Sequence, residues 1–152
     1  MRATRSSWKC LPPPEATAPL GFDAVFTDAE AEQLMLGLVP ERMEDKWFIY
    51  GEDGWLRFHR SWSGALIYAL RLDGSPDGVR VAESWVNRDP EQYAATDVAY
   101  DRALVRFLID AFLLRKPGVR FPMPQDAAGA PDGVVQHALV GRAYPERGSG
   151  DR

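Results

Sequence analysis

A chain of 152 residues is the size of one domain, and 45% hydrophobic with 26% charged residues is neither a disordered nor a membrane-spanning composition. Its 18 basic and 22 acidic residues give a net charge of −4. That balance argues against a general nucleic-acid binder, which needs a basic excess to displace condensed counterions. Cys10 is the sole cysteine, so the chain can form no internal disulfide and no cysteine-based zinc site.

The start, MRATRSSWKCLPPPEA, carries basic residues but lacks the apolar stretch of a secretory signal. No run approaches the ~18 apolar residues of a membrane span. These features make the chain a soluble one and the cytoplasm its expected compartment. Arginine outnumbers lysine 15 to 3, the bias of a GC-rich bacterial genome.

Residues 1–20 hold Pro12, Pro13, Pro14 and Pro19 with little apolar periodicity, and read as an extended arm. Thr27 and Glu30 have the spacing of a capping box, so a helix is expected to start there. Leu34, Met35 and Leu38 give it a buried stripe, and Pro40 ends it because the residue before a proline avoids the helical region. Strands are expected at Trp47–Tyr50, Trp55–Trp62, Ala65–Leu72 and Val79–Val86. Asp53-Gly54 is a strong hairpin turn, Ser63-Gly64 a second one, and 73–78 a loop dense in turn residues. Three short connections in a row imply antiparallel pairing.

Leu104, Val105, Leu108, Ala111 and Phe112 recur at three- and four-residue spacing, which predicts a helix over Asp97–Lys116. Its acidic start and basic end suit the helix dipole, and Pro117-Gly118 stops it. The expected fold is therefore α+β: a four-stranded antiparallel meander with an N-terminal helix and a long C-terminal helix packed on one face. An extended N-terminal arm (1–20) precedes the single domain (21–118). A linker and loosely ordered C-terminal tail (119–152) follow, with a short docked element at 134–140.

The informative stretch runs from Glu44 to Gly64, with three of the five tryptophans and one of the two histidines. Two-residue turns on both sides would put Phe48, Tyr50, Trp55, Arg57, His59, Ser61, Leu66, Tyr68 and Leu70 on one face. Trp47, Ile49, Leu56, Phe58, Arg60, Trp62, Ile67 and Ala69 would share the other. In that register His59 sits between Phe48 and Tyr68. Aromatic side chains with a few polar groups are the usual lining of a ligand site. The stretch resembles one in small, uncharacterised bacterial proteins, with a pattern close to W-F-I/V-Y-x-E-D-G-W-L-x-F-H-R-S-W-S/T-G. The resemblance covers Met43–Leu72, about a fifth of the chain, and implies no established activity.

His59 is the candidate for acid–base chemistry, since imidazole titrates near neutrality, or else a packed strand residue. Arg57, Arg60 and Ser61 are candidates to hold a phosphate or carboxylate, with Trp62 and Tyr68 as aromatic walls. Glu44, Asp45, Glu52 and Asp53 are close enough in sequence for paired acid–base work or a hard cation, though Asp53 is needed by the turn. Trp85 either extends the aromatic wall or caps the core, and Arg88 adds positive charge. His59 and His137 lack metal-ligand spacing, there is no G-x-S-x-G elbow, and no glycine-rich loop opens a helix. No metal and no cofactor are expected.

The reading is a non-catalytic binding module for an anionic small molecule or peptide, with Arg57, His59, Arg60, Ser61, Trp62 and Tyr68 as ligand-binding residues. A small hydrolase or phosphodiester-cleaving enzyme using His59 is one alternative. A protein-interaction subunit, of an immunity or accessory kind, is the other.

Overall fold

The computed structural model describes residues 2–122. The element expected at 134–140 and His137 lie outside the described residues.

Among the described residues six strands form one antiparallel sheet: β1 (Thr17–Pro19), β2 (Val25–Phe26), β3 (Trp47–Glu52), β4 (Trp55–Arg60), β5 (Leu66–Ser75) and β6 (Gly78–Asn87). The order is β1-β6-β5-β4-β3, and β2 pairs with β6 as well. Two helices, α1 (Asp28–Leu36) and α2 (Val98–Phe107), complete the α+β architecture. The central meander of four strands is as expected. The correction is the count: β1 and β2 make it six. They are three and two residues long, too short for an alternating pattern, and the pairing surface of β6 is what orders them. Among the described residues no helix is long and apolar enough to cross a membrane.

The capping box at the start of α1 forms: the Glu30 N–H donates to Thr27 Oγ1 at 3.0 Å, and the Thr27 N–H donates to Glu30 Oε1 at 3.0 Å. The helix stops at Leu36, before the proline expected to end it. Gly37 turns the chain out at φ 76°, and a Cβ there would collide with the Ile49 carbonyl oxygen. Leu38 is thereby released from the helical stripe and forms a bridge with Ile49, closing the outer edge of β3. Asp53 and Gly54, at φ 57° and 83°, make the tight β3–β4 turn as expected. The loop expected over 73–78 is shorter, because Ser75 pairs with Gly78 and only Pro76 and Asp77 turn.

Asp97 caps α2, accepting from the Tyr100 N–H at 3.2 Å. Beyond Phe107 the helix widens into a π-type turn, Leu108–Leu113. Both helices lie on one face of the sheet. Leu34, Leu104, Val105 and Leu108 pack there against Trp47, Ile49, Leu56, Phe58, Tyr68 and Leu70. The other face is covered by the arm, where Ala3 and Cys10 pack with Phe48 and Tyr50. Backbone bonds and end groups hold the arm down. The Ala3 N–H donates to the Leu36 carbonyl at 2.8 Å, Trp8 Nε1 to the Ser61 carbonyl at 2.7 Å, and the Leu11 N–H to the Gly64 carbonyl at 2.9 Å. Such contacts leave no periodicity in the sequence.

Under α2 lies one buried polar network. The Tyr68 and Tyr93 hydroxyls donate to Asp101 Oδ1 at 2.9 and 2.6 Å, and Arg88 Nη2 donates to Oδ2 at 2.7 Å. Burial, with Asp101 beside them, pushes both phenols well up, so they stay protonated donors. Asp101 is wholly buried and Arg88 half-buried, so removing the guanidinium strands a buried carboxylate. Arg88→Met is expected to lower the free energy of unfolding by about 3 kcal/mol, read from urea denaturation. A loss under about 1 kcal/mol, the ceiling for an exposed pair, would show that the network does not hold α2 to the sheet.

Candidate functional site

The β3–β4 register is the expected one: Phe48 faces His59, Tyr50 faces Arg57 and Glu52 faces Trp55. The β4–β5 register is not. A bulge between Phe58 and His59 sets His59 opposite Leu66 and Phe58 opposite Tyr68, leaving Ile67 as the extra residue. From Tyr68 onward β5 is inverted relative to expectation. Tyr68 and Leu70 turn to the helices, and Ala69 joins the face of Arg57. Tyr68 is therefore corrected from a ligand wall beside His59 to a core residue bonded to Asp101.

A second correction concerns Ser61 and Trp62. Strand β4 ends at Arg60, and Ser61 and Trp62 belong to the following turn. Ser61 is buried, its Oγ donating to the Asp45 carbonyl at 2.6 Å. Trp62 is exposed, with Nε1 donating to the Met43 carbonyl at 2.7 Å. Arg60 lies on the helix face, its guanidinium 5.3 Å from the centre of the Trp47 ring.

Of the six expected residues, the structure brings Arg57 and His59 to one cavity. It holds about 400 Å³ and lies beneath the arm, which supplies Arg5, Cys10, Leu11, Pro12 and Pro13 to walls shared with Tyr50 and Leu66. Glu52 joins the two arginines. Arg5 Nη2 lies 2.7 Å from Glu52 Oε1 and Arg57 Nη1 lies 3.9 Å from it. Arg57 Nη1 also donates to the Glu52 backbone carbonyl at 3.1 Å. Hydrogen bonds to Glu52 and then Tyr50 push the Arg5 guanidinium up, keeping it charged. Arg5 and Cys10 were not anticipated, because no local spacing links them to a strand some fifty residues away.

His59 itself is 1% exposed, the burial of the packed strand residue that was one of its two readings. The Tyr50 ring stacks on it at 5.6 Å. Its Nδ1 lies 2.8 Å from the Gly64 carbonyl, and Nε2 has no hydrogen-bond partner among the described residues. A carbonyl only accepts, so Nδ1 carries the proton and Nε2 holds a bare lone pair. Burial pushes the His59 pKa down. The Gly64 bond offsets this in part, and Arg57 adds to it. The Cys10 thiol is pushed up by burial against the pull of both arginines, so it stays protonated near neutral pH.

The carboxylates divide among structural tasks. Asp53 makes the turn, and Asp45 accepts the Glu41 and Arg42 N–H groups at 2.9 and 3.2 Å. Among the described residues no three His, Cys, Asp or Glu side chains gather where they could hold a metal ion. Trp85 pairs with Ala69 and is half-buried, and Arg88 is spent on Asp101. No protein-family model, curated protein or solved structure matches the chain.

His59 makes the fold pH-sensitive in a definite direction. Its folded pKa lies below the ordinary 6.5, so on acidification the unfolded chain takes up the proton first. The stability that a neutral His59 contributes is complete above about pH 6.5 and is lost below it, until the folded ring also titrates. Between about pH 7 and about pH 5, wild type is expected to lose more stability than His59→Gln, as read from urea midpoints. Parallel pH profiles for the two proteins would rule out a neutral buried imidazole.

Proposed function

We propose that the chain is a non-catalytic binding module for a small anionic molecule, or the anionic end of a peptide, held between the arm and β4. The observation that carries this reading is a charge count on the wall of one cavity. Two guanidinium groups, Arg5 and Arg57, share a single carboxylate, Glu52. A ligand carboxylate or phosphate supplies the second counter-charge, and guanidinium donors suit such groups in bidentate fashion. Tyr50, Leu11, Pro12, Pro13 and Leu66 give the uncharged part of the ligand an apolar surface.

The same geometry favours binding over turnover. An acid–base catalyst must come within hydrogen-bond reach of its substrate, and both ring nitrogens of His59 are covered. A nucleophilic cysteine needs a lowered pKa, and that of Cys10 is raised. The bacterial resemblance of the Met43–Leu72 segment fits this reading but adds no ligand.

Titration with inorganic phosphate and with acetate, followed by NMR, is expected to move the Arg57 side-chain N–H and the Tyr50 and Leu66 signals saturably. Arg57→Met is expected to weaken binding about tenfold, the value of one charge-assisted hydrogen bond. The reading is overturned if neither anion saturates by ~10 mM, or if Arg57→Met binds as well as wild type.

A further inference from the structure

The cavity beneath the arm holds a third group able to carry positive charge. His59 follows Arg57 by two positions on β4, and both side chains line the cavity. The imidazole is buried, its Nδ1 proton is committed to the Gly64 carbonyl at 2.8 Å, and Nε2 has no partner among the described residues. A proton taken up by His59 therefore goes to Nε2, while Nδ1 keeps its own. The charges around the ring decide whether that proton stays.

Those charges come from three directions. The arm contributes Arg5, the Cys10 thiol and, against Gly64, Lys9. Strand β3 contributes Glu52 and Tyr50, whose ring stacks on the imidazole at 5.6 Å and whose hydroxyl bonds to Arg5. Strand β4 contributes Arg57, and β5 only the apolar Leu66. Glu52 is the one carboxylate, and it is shared by Arg5 and Arg57. Burial, and then Arg57, push the His59 pKa down, against the pull of the Gly64 bond. The two guanidinium groups and Glu52 leave one positive charge in excess, which a singly charged anion balances. A doubly charged anion leaves one negative charge over, and a proton on His59 balances it. The coupling needs no contact between ligand and Nε2, because charges act over longer distances in a buried, weakly polar site.

We propose that the arm cavity takes a doubly charged oxyanion, the charge state of a phosphate group, together with one proton from solvent on His59, so that binding tightens as the medium becomes more acidic. This inference rests on the anion-binding reading above and narrows it from anions in general to dianions. By reciprocity, the factor by which the dianion favours the protonated ring is the factor by which the protonated ring favours the dianion. Sulfate and methanesulfonate are the probes, since they carry two charges and one charge at every pH used. Sulfate is expected to bind about tenfold more tightly at about pH 5.5 than at about pH 7.5, with proton uptake seen by calorimetry in two buffers of unlike ionisation heat. Methanesulfonate is expected to change by less than about threefold. Methyl phosphate and inorganic phosphate distinguish an ester end-group from the free ion, the tighter of the two identifying the source.

His59→Gln leaves Arg5, Arg57 and Glu52 in place and removes the titrating ring. Its affinity for sulfate is expected to be the same at both pH values. A pH dependence that survives the substitution belongs to the other groups and overturns the proposal. A second measurement needs no variant: in wild type, the pH midpoint of the His59 ring signals in NMR is expected to rise when sulfate saturates the protein. A midpoint that does not move overturns the proposal, as does a sulfate affinity that is flat with pH. If sulfate still binds saturably and Arg57→Met weakens it, the anion-binding reading stands and only the proton linkage fails. If neither ion binds, both fail together.

Discussion

One extra residue in β5 decides which side chains meet. Strand residues alternate faces, so the bulge at Phe58/His59, with Ile67 unpaired, reverses everything from Tyr68 onward. The reversal sends the Tyr68 hydroxyl to Asp101, where it helps tie α2 to the sheet. It also gives Arg57 a small cross-strand neighbour, Ala69. A tyrosine in place of Ala69 would have filled the space that the arm now bridges. The cavity and the core network are thus two outcomes of a single register shift.

The arm is the second half of that cavity. The sheet alone offers Tyr50, Arg57, His59 and Leu66, and the arm adds the second guanidinium and the roof. Its attachment to the Gly64 carbonyl, which also takes the His59 Nδ1 proton, links the roof directly to the imidazole. The uncommitted Nε2 makes that junction costly to protonate, because a proton there would face Arg57 with no acceptor. Closing the arm over the sheet and keeping His59 neutral are therefore one condition.

What the sequence discloses follows from the range of each interaction. The Thr27–Glu30 box, the Asp53-Gly54 turn and the stripe on α2 act within a few residues, and each forms where expected. The faces of β3 and β4 are legible for the same reason, since one tight turn fixes their register. The bulge is not legible, because Leu66, Ile67 and Tyr68 are all apolar or aromatic and suit either face. The end of α1 is also set from a distance: Gly37 is demanded by the Ile49 carbonyl twelve positions on. Arg5 and Asp101 enter the cavity and the core network through contacts with other strands or helices, so their sequence neighbours say nothing of them.

The treatment of charge within this one fold separates structure from recognition. Asp101 is fully buried and receives three strong donors, so its desolvation is answered inside the protein. Asp45 is similarly satisfied by two backbone N–H groups at a turn. Lys46 is buried almost as deeply, with its ammonium 3.4 Å from the centre of the Trp62 ring. Glu52 divides its attraction between two guanidinium groups. In a chain with net charge −4, carboxylates are not scarce, so composition does not force this sharing. Both guanidinium groups line the cavity beneath the arm. Two guanidinium groups on one carboxylate, beside an Asp101 that has three donors to itself, are the physical argument for anion recognition beneath the arm.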